Sequence, residues 1–188
     1  QPAQSEPTVE IEKPKKSGRV ATGIPGLDQV INGGLRKLDI TLVGGGAGCG
    51  KSIFSMQFLV NGILQNDEPG VYISFEQTEE DLLRDFEAFG WNLNELIKKK
   101  KLSIVYYTPE QIERFFEGGG GMIRDLIDTI GAKRIVVDSL TAFSLLFASD
   151  LNKRRGLLRM FEAIKNWGIT ALMTSEADSS STQDHKSS

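Results

Sequence analysis

Residues 41–52 read TLVGGGAGCGKS: strand formers, then five glycines in seven positions, then Lys51 and Ser52. Glycine inside an element weakens it, so a cluster this dense implies that backbone, not side chains, must meet something. From Gly45 to Ser52 the stretch satisfies G-x-x-x-x-G-K-[ST]. In such a loop successive backbone N–H groups turn inward, and the helix that follows adds its own free N–H groups and positive dipole end, which makes an anion site. Gly45, Gly46, Ala47, Gly48, Cys49 and Gly50 are therefore expected to cradle phosphates. Lys51 is expected to reach the β- and γ-phosphates, and the Ser52 hydroxyl to ligate Mg²⁺. A flexible glycine-rich turn with an incidental lysine is the competing reading, and the strand–loop–helix context argues against it.

Working outward, short apolar runs recur at 40–43, 71–75, 104–107, 135–137 and 169–173, each of a length that suits a buried strand. Helical patterns fall between them at 52–64, 79–89, 122–130 and 151–167. Alternation of this kind predicts an α/β fold: a mostly parallel central sheet of five or more strands, helices on both faces, and the glycine-rich loop following a central strand. Residues 1–18 are rich in Pro, Gln, Glu and Lys and read as a flexible arm, 19–176 as one domain, and 177–188 as a flexible polar tail.

Two acids stand at the ends of predicted strands. Arg134-Ile-Val-Val-Asp138 is an apolar run that ends in a carboxylate. Ligands of open α/β sheets sit beyond the carboxyl ends of the strands, so Asp138 is expected to face the phosphate loop and hold Mg²⁺ through water. It could equally cap the helix predicted from about Thr141, and the two roles are compatible. Val71-Tyr-Ile-Ser-Phe-Glu76 ends the same way. If this strand neighbours the strand before the loop, Glu76 lies where a base orients water toward a γ-phosphate. Glu79, Glu80 and Asp81 follow Thr78 as the acids of a helix start.

Composition narrows the classes. No apolar run among the 188 residues approaches the length of a membrane span, and the polar N-terminus carries no secretory pattern. A single cysteine excludes an internal disulfide, and a cytoplasmic location is the expectation. A net charge of −3 gives no general pull toward nucleic acid or anionic membrane.

Together these residues resemble the RecA/RadA superfamily of ATPases, and most closely the archaeal and bacterial KaiC-like proteins. The similarity covers residues 18–176. It includes Thr22-Gly-Ile-Pro-Gly-Leu-Asp28 with Gly33-Gly-Leu35 before the loop, Ala88-Phe-Gly-Trp91, and Asp138-Ser-Leu-Thr141. The resemblance implies a RecA-like core, ATP or ADP bound with Mg²⁺, hydrolysis with Glu76 and Lys51 as the catalytic pair, and a hexameric ring with nucleotide between subunits. Two departures bear on this. KaiC-like proteins usually carry two adjacent glutamates where this chain has Glu76-Gln77, so hydrolysis would rest on Glu76 alone and is expected to be slow, in keeping with a regulatory role. The basic residues that the family supplies from strands beyond the position of Glu176, toward the neighbour's nucleotide, are absent here. Autophosphorylation of a Ser or Thr is a second activity that the resemblance allows, with the Ser-rich tail as acceptor. A RadA-paralogue type of nucleic-acid-binding recombination regulator is the competing reading. It is disfavoured because 176–188 has no aromatic residue and one lysine, neither a stacking platform nor a phosphate funnel.

Other features read more simply. The lysines of 98–101 suit a solvated helix end, whereas Lys153-Arg154-Arg155 at a helix start is the better candidate for a partner contact. Cys49 reads as a small residue that fits the loop, ahead of an activated thiol. The glycines at 118–121 lack a following Lys-Ser and read as a loop. His185 lies in the tail, where metal binding is not expected. Trp91, Tyr106, Tyr107 and Trp167 flank apolar runs and are read as core, with adenine stacking by one of them as the alternative.

Overall fold

The computed structural model describes residues 18–108, 111 and 121–177. Five strands form one sheet: β3 (Ile40–Gly45), β4 (Gly70–Ser74), β5 (Leu102–Tyr106), β6 (Arg134–Asp138) and β7 (Thr170–Glu176), in the order β3-β7-β6-β4-β5. Every neighbouring pair is parallel. Before it, β1 (Arg19–Val20) and β2 (Leu35–Arg36) pair antiparallel. The helices are α1 (Leu27–Val30), α2 (Lys51–Asn66), α3 (Glu79–Phe86), α4 (Leu93–Lys98), α5 (Gly121–Ile130), α6 (Leu140–Leu145) and α7 (Asp150–Trp167), with a 3₁₀ turn at Glu87–Phe89. The arm up to residue 17, the tail from residue 178 with His185, and all of the glycine run except Gly121 lie outside the described residues.

Strand side chains alternate between the two faces, and the core divides accordingly. Tyr72, Val136 and Leu172 face α2 and pack with Met56, Leu59 and Val60, joined by Leu82 and Phe86 of α3 and Leu93 and Leu96 of α4. Val71, Ile73, Ile135, Val137, Ala171 and Met173 face Ile123 and Ile127 of α5 and Met160 and Ile164 of α7. Helices thus cover both faces of an all-parallel sheet, as the alternation predicted.

One expectation fails. β3, which carries the glycine-rich loop, is an edge strand among the described residues, paired only with β7 and with Leu42 58% exposed. Glu76 was placed in the cleft on the premise that β4 lies beside β3, yet β7 and β6 stand between them. Strand order depends on crossovers between distant segments, which local periodicity does not encode. The crossover also supplies another route to the same site. Helix α2 runs from the end of β3 across β7, β6 and β4, so its N-terminus lies over the carboxyl ends of those strands.

Two polar devices secure this crossover. Asp28 accepts from the Thr22 N–H (2.8 Å), the Thr22 hydroxyl (2.7 Å) and the Gly23 N–H (3.0 Å), and Asn61 of α2 donates to the Thr22 carbonyl. The 22–28 segment is therefore a loop clamp onto α2. Arg134, 1% exposed, stacks over Phe58, donates to the Phe58 carbonyl and pairs with Glu68 after α2. Its Nη2 lies 2.6 Å from Glu68, in ion-pair contact but off-axis for a hydrogen bond. Gly62 makes room for this guanidinium, because a Cβ there would come within 2.3 Å of Arg134 Nε.

Candidate nucleotide-binding site

The glycine-rich loop leaves β3 and enters α2 through Gly50, whose φ of 88° is left-handed, as is the φ of 70° at Gly48. Side chains rarely adopt that conformation, although a Cβ on Gly46, Gly48 or Gly50 would meet only open space. Backbone conformation, not crowding, selects glycine at 48 and 50, and the open space is what a cradle for a large anion requires. Lys51 folds its ammonium back over the loop, where Nζ donates to the Gly45 carbonyl (3.0 Å) and the Gly46 carbonyl (2.8 Å). Cys49 is exposed and packs its sulfur over Gly45, where a Cβ would come within 2.5 Å of Sγ, in accord with a residue that fits by size.

An open cleft of about 660 Å³ lies in front of the loop. Gly48, Cys49, Gly50, Lys51 and Ser52 line one side, and Glu76, Asp138, Ser139 and Glu176 line the other. The three site candidates from separate segments, Lys51 with Ser52, Glu76 and Asp138, are thus brought together. None of Trp91, Tyr106, Tyr107 and Trp167 lines it. Trp91 instead stacks on Phe89 at 4.9 Å between ring centres, and Tyr107 is buried.

Asp138 ends β6, and both its oxygens are engaged. Tyr72 of β4 donates its hydroxyl to Oδ2, and Thr174 of β7 donates to Oδ1. Burial first, and then the neighbouring Asp138 carboxylate, push the Tyr72 phenol well above its ordinary value. The phenol therefore remains protonated and a donor at any neutral pH. The capping role considered for Asp138 belongs to the next residue. Ser139 is the N-cap of α6 and accepts from the Ala142 N–H at 3.1 Å.

Ser139 also donates its proton to Glu76 Oε1 at 2.8 Å, which leaves Oε2 free of that contact. Just after β4, Ser74 Oγ accepts from the Gln77 N–H at 3.0 Å and turns the chain. The Gln77 side chain points away from the cleft and donates to Asp85 of α3 at 2.8 Å. Thr78 caps α3 by accepting from the Asp81 N–H, so Glu79, Glu80 and Asp81 are first-turn acids as read. The Thr78 hydroxyl also donates to Asp81 Oδ2 at 2.7 Å, and this bond, followed by Arg84, holds the Asp81 carboxyl below its usual range.

Sequence reading passed over Tyr72, Thr174, Ser139 and Glu176. Glu176 carried the signal already used for Asp138, an acid closing an apolar strand, and its N–H is held by Thr141 Oγ1 at 2.8 Å. A tyrosine within a buried strand signals a required partner for its hydroxyl, but not which one.

The oxygen donors suit a hard cation. Among the described residues, no group of three or more His, Cys, Asp or Glu side chains is placed to hold a metal alone. One hydroxyl and one carboxylate beside an anion cradle match Mg²⁺, which retains waters and shares its coordination with phosphates.

Comparison with known proteins agrees with this geometry. The family model described as "ATPase: KaiC" matches residues 20–187. The circadian clock oscillator protein KaiC of Prochlorococcus marinus (strain MIT 9313) is 37% identical over 164 residues, covering 84% of this chain and 33% of that protein. A UPF0273 protein of Sulfurisphaera tokodaii is 33% identical over 172 residues, covering 84% of this chain and 60% of that protein. The crystal structure of a KaiC-like protein from Pyrococcus horikoshii OT3 superposes with a TM-score of 0.76 at 33% identity, covering 85% of this chain and 70% of that one. The chain spans about a third of the length of the KaiC proteins it matches. No helix among the described residues is long and apolar enough to cross a membrane. With a RecA-type parallel sheet, a phosphate loop and a family match over most of its length, the chain belongs to the KaiC ATPase family.

Proposed function

We propose that the protein binds ATP or ADP with Mg²⁺ in the cleft before α2 and hydrolyses ATP slowly, in a regulatory capacity, with Glu76 as the base. The observation that carries this reading is the convergence on one cleft of an anion cradle, a lysine and three oxygen-bearing side chains from three strand–helix junctions.

The loop N–H groups and the N-terminus of α2 receive the phosphates. Lys51 exchanges the Gly45 and Gly46 carbonyls for β- and γ-phosphate oxygens. Ser52 and Asp138 would hold Mg²⁺, which when bound would offset phosphate charge. Glu76, with Oε1 held by Ser139, uses its other oxygen to take a proton from a water. That water's oxygen bonds to the γ-phosphorus while the bond to the β-phosphate oxygen breaks, giving ADP and phosphate. Gln77 is committed to Asp85 and has no carboxylate to offer, which leaves the chemistry to one base and supports slow turnover.

Calorimetric titration with ADP tests the binding site. Lys51→Ala is expected to abolish measurable binding, and undiminished affinity would reject the assignment. Assembly into a ring with nucleotide between subunits is proposed on the family resemblance alone. Sedimentation with and without ATP reads it: a larger species that appears with ATP is expected, and an unchanged monomer would reject it.

The nucleic-acid reading gains no support. Lys99 pairs with Glu95 at 2.5 Å and Lys101 with Asp67 at 2.7 Å, so half of the basic run at 98–101 is already neutralised at the end of α4. The 153–155 trio sits in the opening turns of α7, with Arg154 and Arg155 exposed, and lies outside the cleft lining.

A further inference from the structure

We propose that Tyr72 is a positioning residue for the metal side of the cleft, acting through Asp138. This rests on the nucleotide reading above and extends it to a residue outside the cleft lining. Tyr72 is wholly buried in the face of the sheet beneath α2, packed with apolar side chains, and a phenylalanine would fill that space as well. What tyrosine adds is one hydroxyl, and that hydroxyl is spent on Asp138 Oδ2.

The arrangement is bilateral. Asp138 lies on β6 between β4 and β7, and each neighbour sends one buried hydroxyl to one carboxylate oxygen: Tyr72 from β4 and Thr174 from β7. The χ2 torsion of an aspartate is otherwise broad, so donors at both ends fix the plane of the carboxylate. Each oxygen keeps a second lone pair, which leaves Asp138 able to accept from a water on the cleft side. Such outer partners set the orientation of metal-site groups, and their removal typically costs about 10–100-fold in metal affinity.

Calorimetric titration of the full chain with ADP, in EDTA and across a Mg²⁺ series, tests the role. Tyr72→Phe is expected to bind ADP in EDTA within about twofold of wild type, because the loop and Lys51 are untouched. The Mg²⁺ concentration that gives half of the metal-dependent gain in affinity is expected to rise about tenfold. Thr174→Val removes the opposite donor and is expected to give a rise of the same order, with Thr174→Ser restoring the wild-type value. A Tyr72→Phe protein with wild-type Mg²⁺ dependence would overturn the proposal. So would one whose affinities in EDTA and in Mg²⁺ fall by the same factor, the signature of a merely structural tyrosine. If Tyr72→Phe does not fold, the Thr174 pair decides by the same criteria. Wild-type protein that binds no ADP under any condition removes the nucleotide reading and this inference with it. Mg²⁺-enhanced binding in wild type that the variants reproduce removes this inference alone.

Discussion

Glu76 and Gln77 are adjacent in the chain and serve different neighbours: one lines the cleft under a hydrogen bond from Ser139, and the other is tied to Asp85 on the surface of α3. The bend after β4 makes this division: Ser74 Oγ accepts from the Gln77 N–H and turns the chain between the two side chains' destinations. Glu76→Gln keeps the size and the acceptor for Ser139 but cannot take a proton. Steady-state phosphate release is expected to fall at least about 100-fold while ADP affinity stays within about twofold. Unchanged release would move the base elsewhere, with Glu176, at the end of β7 in the same cleft, as the next residue to replace. At this scale an acid closing an apolar run was the legible signal at Glu76 and Asp138, both of which line the cleft, and the same signal was passed over at Glu176. Tyr72 was not legible, because its partner lies 66 residues away.

At the scale of elements, α6 ties the site to the sheet. Six residues make a helix too short to persist without help, and its help is Ser139 at the N-cap. The same hydroxyl takes the Ala142 N–H and gives its proton to Glu76, so helix start and candidate base share one atom. Ser139→Ala should therefore lower stability by about 1 kcal/mol in denaturant unfolding. It should also slow phosphate release, by a smaller factor than Glu76→Gln, and Ser139→Thr should recover both. Loss of stability with unchanged release would make Ser139 a cap and nothing more. The cap at Thr78 was readable as a residue type preferred at helix starts. The double duty of Ser139 was not, since it needs β4 and β6 side by side.

For the whole molecule, ligand binding and stability should be coupled, because the cleft draws on β3, β4, β6, β7 and α2 together. ADP with Mg²⁺ at about 100 times its Kd should add about 2.7 kcal/mol. For a domain of this size that corresponds to a rise in Tm of roughly 5–10 °C in a thermal scan. ADP in EDTA should give a smaller rise, and Lys51→Ala should give none; equal shifts with and without metal would remove Mg²⁺ from the site. The sequence by itself determined the parts. Period-2 and period-3.6 patterns are local, so the five strands of the parallel sheet, the longer helices and the glycine-rich loop followed from the residues within each segment, while the two-residue strands β1 and β2 did not. Of the short helices α1 escaped, because fewer than two full turns leave little periodicity to detect, whereas a helix from about Thr141 and a helix end at 98–101 were anticipated and correspond to α6 and α4. Only the tertiary structure decided that β3 stands at the sheet edge among the described residues and that β7 and β6 separate it from β4. It also decided that Asp138 is held from both sides by hydroxyls of neighbouring strands. Strand order and cross-strand contacts are set by where each crossover lays its helix on the shared core, a property of segments far apart in the chain and present in none of them alone.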